Sequence, residues 1–333
     1  MARIPRQSFI PMLVTFFLIG YISVEWGWVA GLTMFVILIG LPSLYVVAVY
    51  YMGTALTARG DLRGAIAHYS RLLKANEQFK FPINRMFIHS QRAALRNATG
   101  DLDGAIHDYS AAMEHAKQEI PALYGIRSAL YLGKRDYESA LQDSTRLLEL
   151  EPKSEIGYAN RAAARMFLGD VEGAIRDCNT GLEDLPKLSA SGKALLYNNR
   201  GTAYRLQKNY GSAMADYNLA MSASLKPRQQ KLIHPSIMTN QGILYYLMQE
   251  VENARVYFQQ ALDKNPKFYK AMAGLALSRF KLGQATEATK LWKDLLAFQP
   301  RYRDLRVLQR DMNLPNEMMS DITTLQNETH GNL

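Results

Sequence analysis

The chain is 333 residues long, with 39 lysines and arginines against 30 aspartates and glutamates, a formal net charge of +9, and 48% apolar residues. Its single cysteine, Cys178, excludes an internal disulfide framework and any multi-cysteine metal site. The length admits two or three ordinary domains or one extended array of small units, and the basic balance admits acidic partners or anionic surfaces.

Residues 1–7, "MARIPRQ", are a short basic start. From Phe9 to Tyr51 the only charged side chain is Glu25, and it separates two apolar runs. The second run is long enough to span a bilayer core of about 30 Å at roughly 1.5 Å per residue, and the first is just long enough. A secretory signal is the competing reading. No small-residue cleavage pattern follows the first run and a second apolar run comes at once, so two transmembrane helices are predicted over residues 8–51, turning at 25–28. Arg3 and Arg6 before the runs, with Arg59 and Arg63 after them, put both ends on the cytoplasmic side, while Tyr21, Trp26 and Trp28 lie at the outer headgroup level. Glu25 at the bilayer centre would cost about 2.5–3.5 kcal/mol, which favours two spans meeting there. The weaker alternative is one span with the first run lying shallow, because Pro11 shortens it. The expected setting is a bacterial inner membrane or a thylakoid-like membrane, with the remainder of the chain on the cytoplasmic side.

Beyond the apolar runs one string recurs: "GDLRGAIAHYS" at 60–70, "GDLDGAIHDYS" at 100–110 and "GDVEGAIRDCN" at 169–179. Aligned on Ala65, Ala105 and Ala174, the frame extends to Ala140, Ala213, Ala254 and Ala288. Seven units over residues 46–302 then start near Val46, Met86, Pro121, Glu155, Ala194, Pro235 and Tyr269, at spacings of 34 to 41 residues. The excess falls in "KLSASG" and "LKPRQQKLIHPS", which read as loop insertions. Each unit holds two helical runs around a polar break, and Pro152, Pro186, Pro266 and Pro300 each close a second run, so the unit is a helical hairpin.

Position by position the hairpin resembles the tetratricopeptide repeat. Gly53, Gly201 and Gly242 stand at its small eighth position, and Tyr131, Tyr204 and Tyr245 at its eleventh. The frame alanines stand at the twentieth, and Tyr69, Tyr109, Tyr217, Phe258 and Trp292 at the twenty-fourth. Ser144 and Cys178 depart from the aromatic pattern in repeats three and four. The resemblance implies an all-α fold: a transmembrane hairpin followed by a right-handed superhelix of about seven repeats, an alpha-alpha solenoid whose concave groove is lined by the first helices. Such an array needs end caps. "RYRDLRVLQRDMNL" at 301–314 supplies one, with Leu305, Leu308 and Met312 on one face. At the other end "VVAVYYMGTALTARG" serves the second span and the first repeat as one continuous helix. The polar tail at 315–333 is expected to be disordered.

Charge is patterned within the repeat. The seventh position reads Arg92, Arg127, Arg161 and Arg200 in repeats two to five, and the twenty-third reads Asp108, Asp143, Asp177 and Asp216 in the same four. Each charge occurs only with its partner, so the arginines are expected in structural ion pairs, within a repeat or between neighbours, and not as a stripe for phosphates. One position earlier stand Gln91, Asn160, Asn199 and Asn240. Asparagine is a mediocre helix former, so three at one register need a reason. The row resembles the asparagine ladder by which some tetratricopeptide proteins bond the backbone of an extended peptide; the competing reading is a solvated polar groove. With Ile156, Phe167, Leu195 and Ile243 as apolar neighbours, it forms the expected peptide site. The carboxylate clamp of chaperone-binding relatives is not met, since Ala159 and Ala163 stand where it asks for polar or basic residues.

Residues 121–186 carry 8 basic against 11 acidic side chains, and residues 187–314 carry 20 against 8. Lys226, Arg228, Lys231, Arg303, Arg306 and Arg310 form the basic surface, a candidate for anionic lipid or an acidic partner; without any nucleic-acid module, nucleic acid is disfavoured. The histidines lack metal-ligand spacing, no phosphate-cradling loop is present, and Cys178 reads as packing, so neither enzyme chemistry, metal nor cofactor is expected. The sequence points first to a membrane-anchored adaptor or assembly factor holding protein or peptide partners in its groove. Its alternative is a permanent structural subunit of a membrane complex, held by spans in which Gly20, Gly31 and Gly40 let helices approach.

Overall fold

The computed structural model describes residues 52–79, 84–183 and 188–331. Residues 1–51, with the expected membrane hairpin and its junction to the first repeat, lie outside the described residues. Among the described residues no helix is long and apolar enough to cross a membrane, and no strand occurs.

The chain divides into two compact units, residues 1–123 and 124–333. In the first, a helical segment at 52–58 precedes α1 (Leu62–Phe79), α2 (Arg85–Ala98) and α3 (Leu102–Glu114). Tyr69, Leu72 and Leu73 of α1 pack with Ile88 and Leu95 of α2. The second unit takes up α4 (Pro121–Lys134) from its fourth residue and continues with α5 (Tyr137–Leu150), α6 (Glu155–Phe167), α7 (Val171–Glu183), α8 (Ala190–Leu206) and α9 (Tyr210–Ser222). It ends with α10 (Pro227–Leu247), α11 (Val251–Lys264), α12 (Tyr269–Lys281), α13 (Ala285–Phe298), a 3-10 turn (Pro300–Arg303), α14 (Leu305–Met312) and α15 (Asn316–Gly331).

The recurring "GD" string is a hairpin turn written in sequence. Gly100 has φ 84°, a left-handed conformation, and Asp101 then caps α3 by accepting from Gly104 N–H at 2.9 Å. A Cβ on Gly104 would sit 2.2 Å from that carboxylate, which is why the string needs its second glycine. The same left-handed place recurs at Gly60, Arg135, Gly169, Lys208, Gln249 and Gly283, once per repeat, even where glycine is absent.

In repeats one, five and six, packing between the helices of a hairpin turns on ring against glycine. A Cβ on Gly201 would meet the Tyr217 ring at 2.9 Å. Phe258 is held twice, because a Cβ on Gly242 of its own repeat would meet it at 2.8 Å and one on Gly274 of the next at 2.4 Å. In repeats three and four, where Ser144 and Cys178 replace the ring, Ser128 and Ala162 replace the glycine, and all four are buried.

Two expectations are corrected. The extra residues before repeats five and six lengthen helices instead of forming loops: α8 begins at Ala190 and α10 at Pro227. "PRQQKL" is made of good helix formers behind a proline at the first helical position, and Lys226 N–H donates to Gln229 Oε1 at 3.0 Å, which satisfies the N-cap amide. Pro235 lies buried inside this helix of 21 residues. The tail from Pro315, expected to be disordered, is the helix α15, because Met318, Ile322 and Leu325 align as one stripe and all three are fully buried.

Gly242→Ala should lower stability by about 1–3 kcal/mol, since the added methyl must displace Phe258. Gln249→Gly should raise it by about 1 kcal/mol by relieving a left-handed side-chain residue. Urea unfolding of the two variants beside the parent chain checks both directions.

Candidate functional site

The four arginines of the seventh position all make two-pronged bonds to the aspartate sixteen residues on, within their own hairpin. Arg92 Nε and Nη2 reach Asp108 Oδ2 and Oδ1 at 2.8 and 2.6 Å, and Arg127 reaches Asp143 likewise at 2.7 and 2.8 Å. Arg161 meets Asp177 at 3.0 and 2.7 Å, and Arg200 meets Asp216 at 2.8 and 2.9 Å. All four carboxylates are buried. Planar fork against carboxylate is the strongest geometry open to an ion pair, and it leaves no stripe of free guanidinium groups for a phosphate.

The sequence analysis missed the second layer around these carboxylates. Arg96 Nη1 also reaches Asp108, at 3.0 Å, and Arg165 Nη1 reaches Asp177, at 2.8 Å. In repeats three and five the residue at that place is a tyrosine, and it lies under the guanidinium instead: Arg127 stands 5.8 Å from the Tyr131 ring and Arg200 stands 5.9 Å from Tyr204. The signal was an arginine or tyrosine four residues after each seventh-position arginine. His89 Nδ1 faces Asp108 at 3.1 Å. Burial raises the Asp108 pKa, but the bonds from His89 and Arg92 and the charges of Arg92 and Arg96 outweigh it and hold the carboxyl down at about 2.

The asparagine row points at the chain itself. Asn160 Nδ2 donates to Gly125 O at 3.1 Å and to Ser128 Oγ at 2.6 Å, and Asn199 Nδ2 donates to Ala159 O at 2.9 Å. Asn240 Nδ2 donates to the Asn198 carboxamide at 3.0 Å. Each therefore ties its own first helix to the first helix of the preceding repeat. Asn160 and Asn199 stay half-exposed, whereas Asn240 is buried. Gln91 is half-buried.

Ile243 was expected in the groove and is instead fully buried in the core of repeats six and seven. Ile156, Phe167 and Leu195 are exposed, Ile156 by 50%, and the Phe167 ring stacks on Tyr137 at 4.3 Å. Ile126 and Leu206, which the sequence analysis did not single out, are exposed as well. In the repeat frame these five side chains occupy only the second, sixth and thirteenth positions, one face of a helix, with the two carboxamides between them.

Lys226, Arg228 and Lys231 are exposed on the leading turns of α10. Arg303, Arg306 and Arg310 are also exposed, but Arg306 pairs with Asp304 at 3.2 Å and Arg310 with Asp311 at 3.2 Å. A further cation, Lys270, has its pKa pushed down to about 7 by burial and by Arg205 and Arg135. Burial pushes the Cys178 thiol far above its ordinary pKa, which keeps it a packing group.

Two tetratricopeptide-repeat family profiles match the chain, at residues 194–227 and 238–267. Human serine/threonine-protein phosphatase 5 is 41% identical over 86 residues, 26% of this chain and 17% of that protein. Hsp70-Hsp90 organizing protein 2 of Arabidopsis thaliana is 23% identical over 194 residues, 51% of this chain and 34% of that protein. The chain thus spans 17–34% of the length of these curated relatives. Among solved structures, a tetratricopeptide repeat protein from Parabacteroides merdae superposes with a TM-score of 0.57 at 20% identity, covering 78% of this chain and 95% of that one. The likeness to the solved structure is one of fold.

Removing one buried acid leaves its arginines stranded. Asp177→Ala, which uncovers both Arg161 and Arg165, should cost about 3–5 kcal/mol, seen as a lower midpoint in thermal unfolding. Asp108 adds an acid dependence. With a pKa lowered from 3.8 to about 2, its contribution of about 2 kcal/mol is full above pH 4 and fades as pH falls through 2. In Asp108→Asn that part of the decline between pH 4 and 2 should vanish from a pH series of unfolding curves.

Proposed function

Since the chain is built of tetratricopeptide repeats, we propose that it is a protein-interaction adaptor or assembly factor which holds an extended segment of a partner on the first helices of repeats three to five. The observation that carries the reading is the exposed file of Ile126, Ile156, Phe167, Leu195 and Leu206 around the Asn160 and Asn199 carboxamides. Three carboxamide bonds at about 0.5–1.5 kcal/mol each would give at most roughly millimolar binding, and here all three amides already donate within the chain. Apolar side chains of the partner must therefore supply most of the affinity, at about 1.5–3 kcal/mol for each one fully buried.

The reading includes a membrane tether over residues 8–51, which rests on their hydropathy and on the arginines flanking them, with the repeats on the cytoplasmic side. A shared membrane would raise the effective concentration of the partner and so offset a weak groove. The exposed Lys226, Arg228 and Lys231 suit an acidic partner or anionic headgroups. Hsp70-Hsp90 organizing proteins carry the names of two chaperones. In this chain Ala159 is buried and Ala163 half-buried at the places where a carboxylate clamp would need polar or basic side chains, so a different partner is proposed. The second reading, a permanent subunit of a membrane complex, is favoured by Gly20, Gly31 and Gly40 within the apolar runs.

Crosslinking with mass spectrometry on the detergent-solubilised chain separates the two, with the parent beside Ile156→Asp/Leu195→Asp. These exposed sites can be changed without touching the asparagine bonds. The adaptor reading expects partner crosslinks around 126–206 that fall at least tenfold in the variant, whose unfolding midpoint stays within about 2 °C of the parent. Crosslinks confined to residues 9–51 and unaltered by the variant would overturn it in favour of the structural subunit.

A further inference from the structure

The first helices of this stack are not equally open. In repeat four, α6 buries Gly157, Ala159, Ala162 and Ala164 and leaves Ile156 and Phe167 exposed, as expected of a helix covered by its own hairpin and its neighbours. In repeat seven, α12 has every residue from Ala271 to Ser278 buried, and in repeat six α10 buries all of Ile237 to Leu244. α10 is covered by α8, α9, α11 and α12 and meets α15 through Tyr246, whereas around α12 an additional layer is present, because α15 packs on α12 and α13. Met318, Ile322 and Leu325 enter the core of these two repeats. Asp321 binds two first helices at once, accepting from Tyr246 Oη of α10 at 2.6 Å and pairing with Lys281 Nζ of α12 at 3.1 Å.

We propose that α15 is a resident, releasable ligand of the face formed by the first helices of repeats six and seven. The partner that replaces it is an amphipathic helix with the same print: apolar residues at its first, fifth and eighth places and an acid at its fourth. The inference rests on the reading of the chain as a groove-binding protein, but it concerns a different part of the groove from repeats three to five.

Three features of α15 make it a ligand and not another fixed layer. It is set off from α14 by Asn313 in a left-handed conformation and by Pro315, so no continuous helix holds it in place. Its sequence, "NEMMSDITTLQNETHG", is rich in threonine, asparagine and serine and has little intrinsic helicity, so its order depends on docking. Its hold is modest: Met318, Ile322 and Leu325 buried with Met319 packed beside them and Thr329 covered, the Asp321 pair, Gln326 Nε2 donating to Arg303 O at 3.0 Å, and Gln309 Nε2 donating to Asn316 Oδ1 at 3.1 Å. An acid at the fourth place lets a partner satisfy the Tyr246 hydroxyl and the Lys281 ammonium that departure of α15 would leave behind. An apolar helix alone would not.

Two measurements test this. Hydrogen exchange on the unmodified full chain should show the α15 amides exchanging at least ten times faster than those of α12, the mark of separate opening. A fluorescent peptide of the sequence 315–331 should bind the full-length Ile322→Asp chain, whose own helix is undocked, at least tenfold more tightly than the parent. The same peptide with Asp321→Lys should not bind. Exchange of α15 in step with α12 would overturn the proposal, as would a peptide that binds both chains equally or neither; α15 would then be a fixed part of the cap. Should Ile322→Asp fail to fold, the exchange rates of the parent decide alone. The assay uses no outside partner, so loss of the adaptor reading at repeats three to five would leave its result standing.

Discussion

A single hairpin in this chain cannot bury its own apolar face, and everything else follows from how closely the next one comes to cover it. Phe258 shows the constraint at its tightest, wedged between glycines of its own repeat and the following one. With small residues at the eighth position, Ser128 and Ala162 among them, successive first helices come near enough for Asn160 and Asn199 to reach carbonyls of the preceding one. A bulky residue there would have to displace the facing second helix. Close stacking also excludes water from the carboxylates between the helices, which is why each needs at least one two-pronged arginine.

The charged groups divide into two kinds by burial. Asp108, Asp143, Asp177 and Asp216 sit inside hairpins, each with an arginine fork. Their second neighbour alternates between another arginine, in repeats two and four, and a tyrosine ring, in repeats three and five. Both serve one need, a second favourable contact in a site of low dielectric, one by charge and the other by the ring face. Lys226, Arg228 and Lys231 at the start of α10 are exposed and lie open to another molecule.

Repeat register was legible in the sequence because its markers are local: a left-handed turn residue, a capping aspartate, a small residue facing a ring. The pairing of Arg92 with Asp108 and its three counterparts was legible because partners appear and vanish together along the chain. The destination of the asparagine amides was not, since it depends on the distance between successive first helices and not on residue type. Ile243 was misplaced for a related reason. It lies in one buried core with Met318, Ile322 and Leu325 of α15, a helix whose four apolar residues among sixteen give a weak pattern beside so many polar ones. The lengthened α10 was hidden by Pro235, which reads as a helix breaker yet lies inside the helix, and that of α8 by the serines and glycine of "KLSASG", which are weak helix formers.

Repeat arrays ordinarily feel only their nearest neighbours, so they can nucleate anywhere and fray from either end. Here Arg135, at the turn of repeat three, donates to the carbonyls of Arg310 and Asp311, and its Nε lies 3.5 Å from the Asp311 carboxylate. Partners separated by 176 positions cannot be brought together cheaply while the chain between them is disordered. Folding of repeats four to seven brings the two partners within reach. Once made, the contact joins the cap to a distant repeat, so that peeling from the carboxyl end must break a bond to repeat three before the last hairpin can unwind.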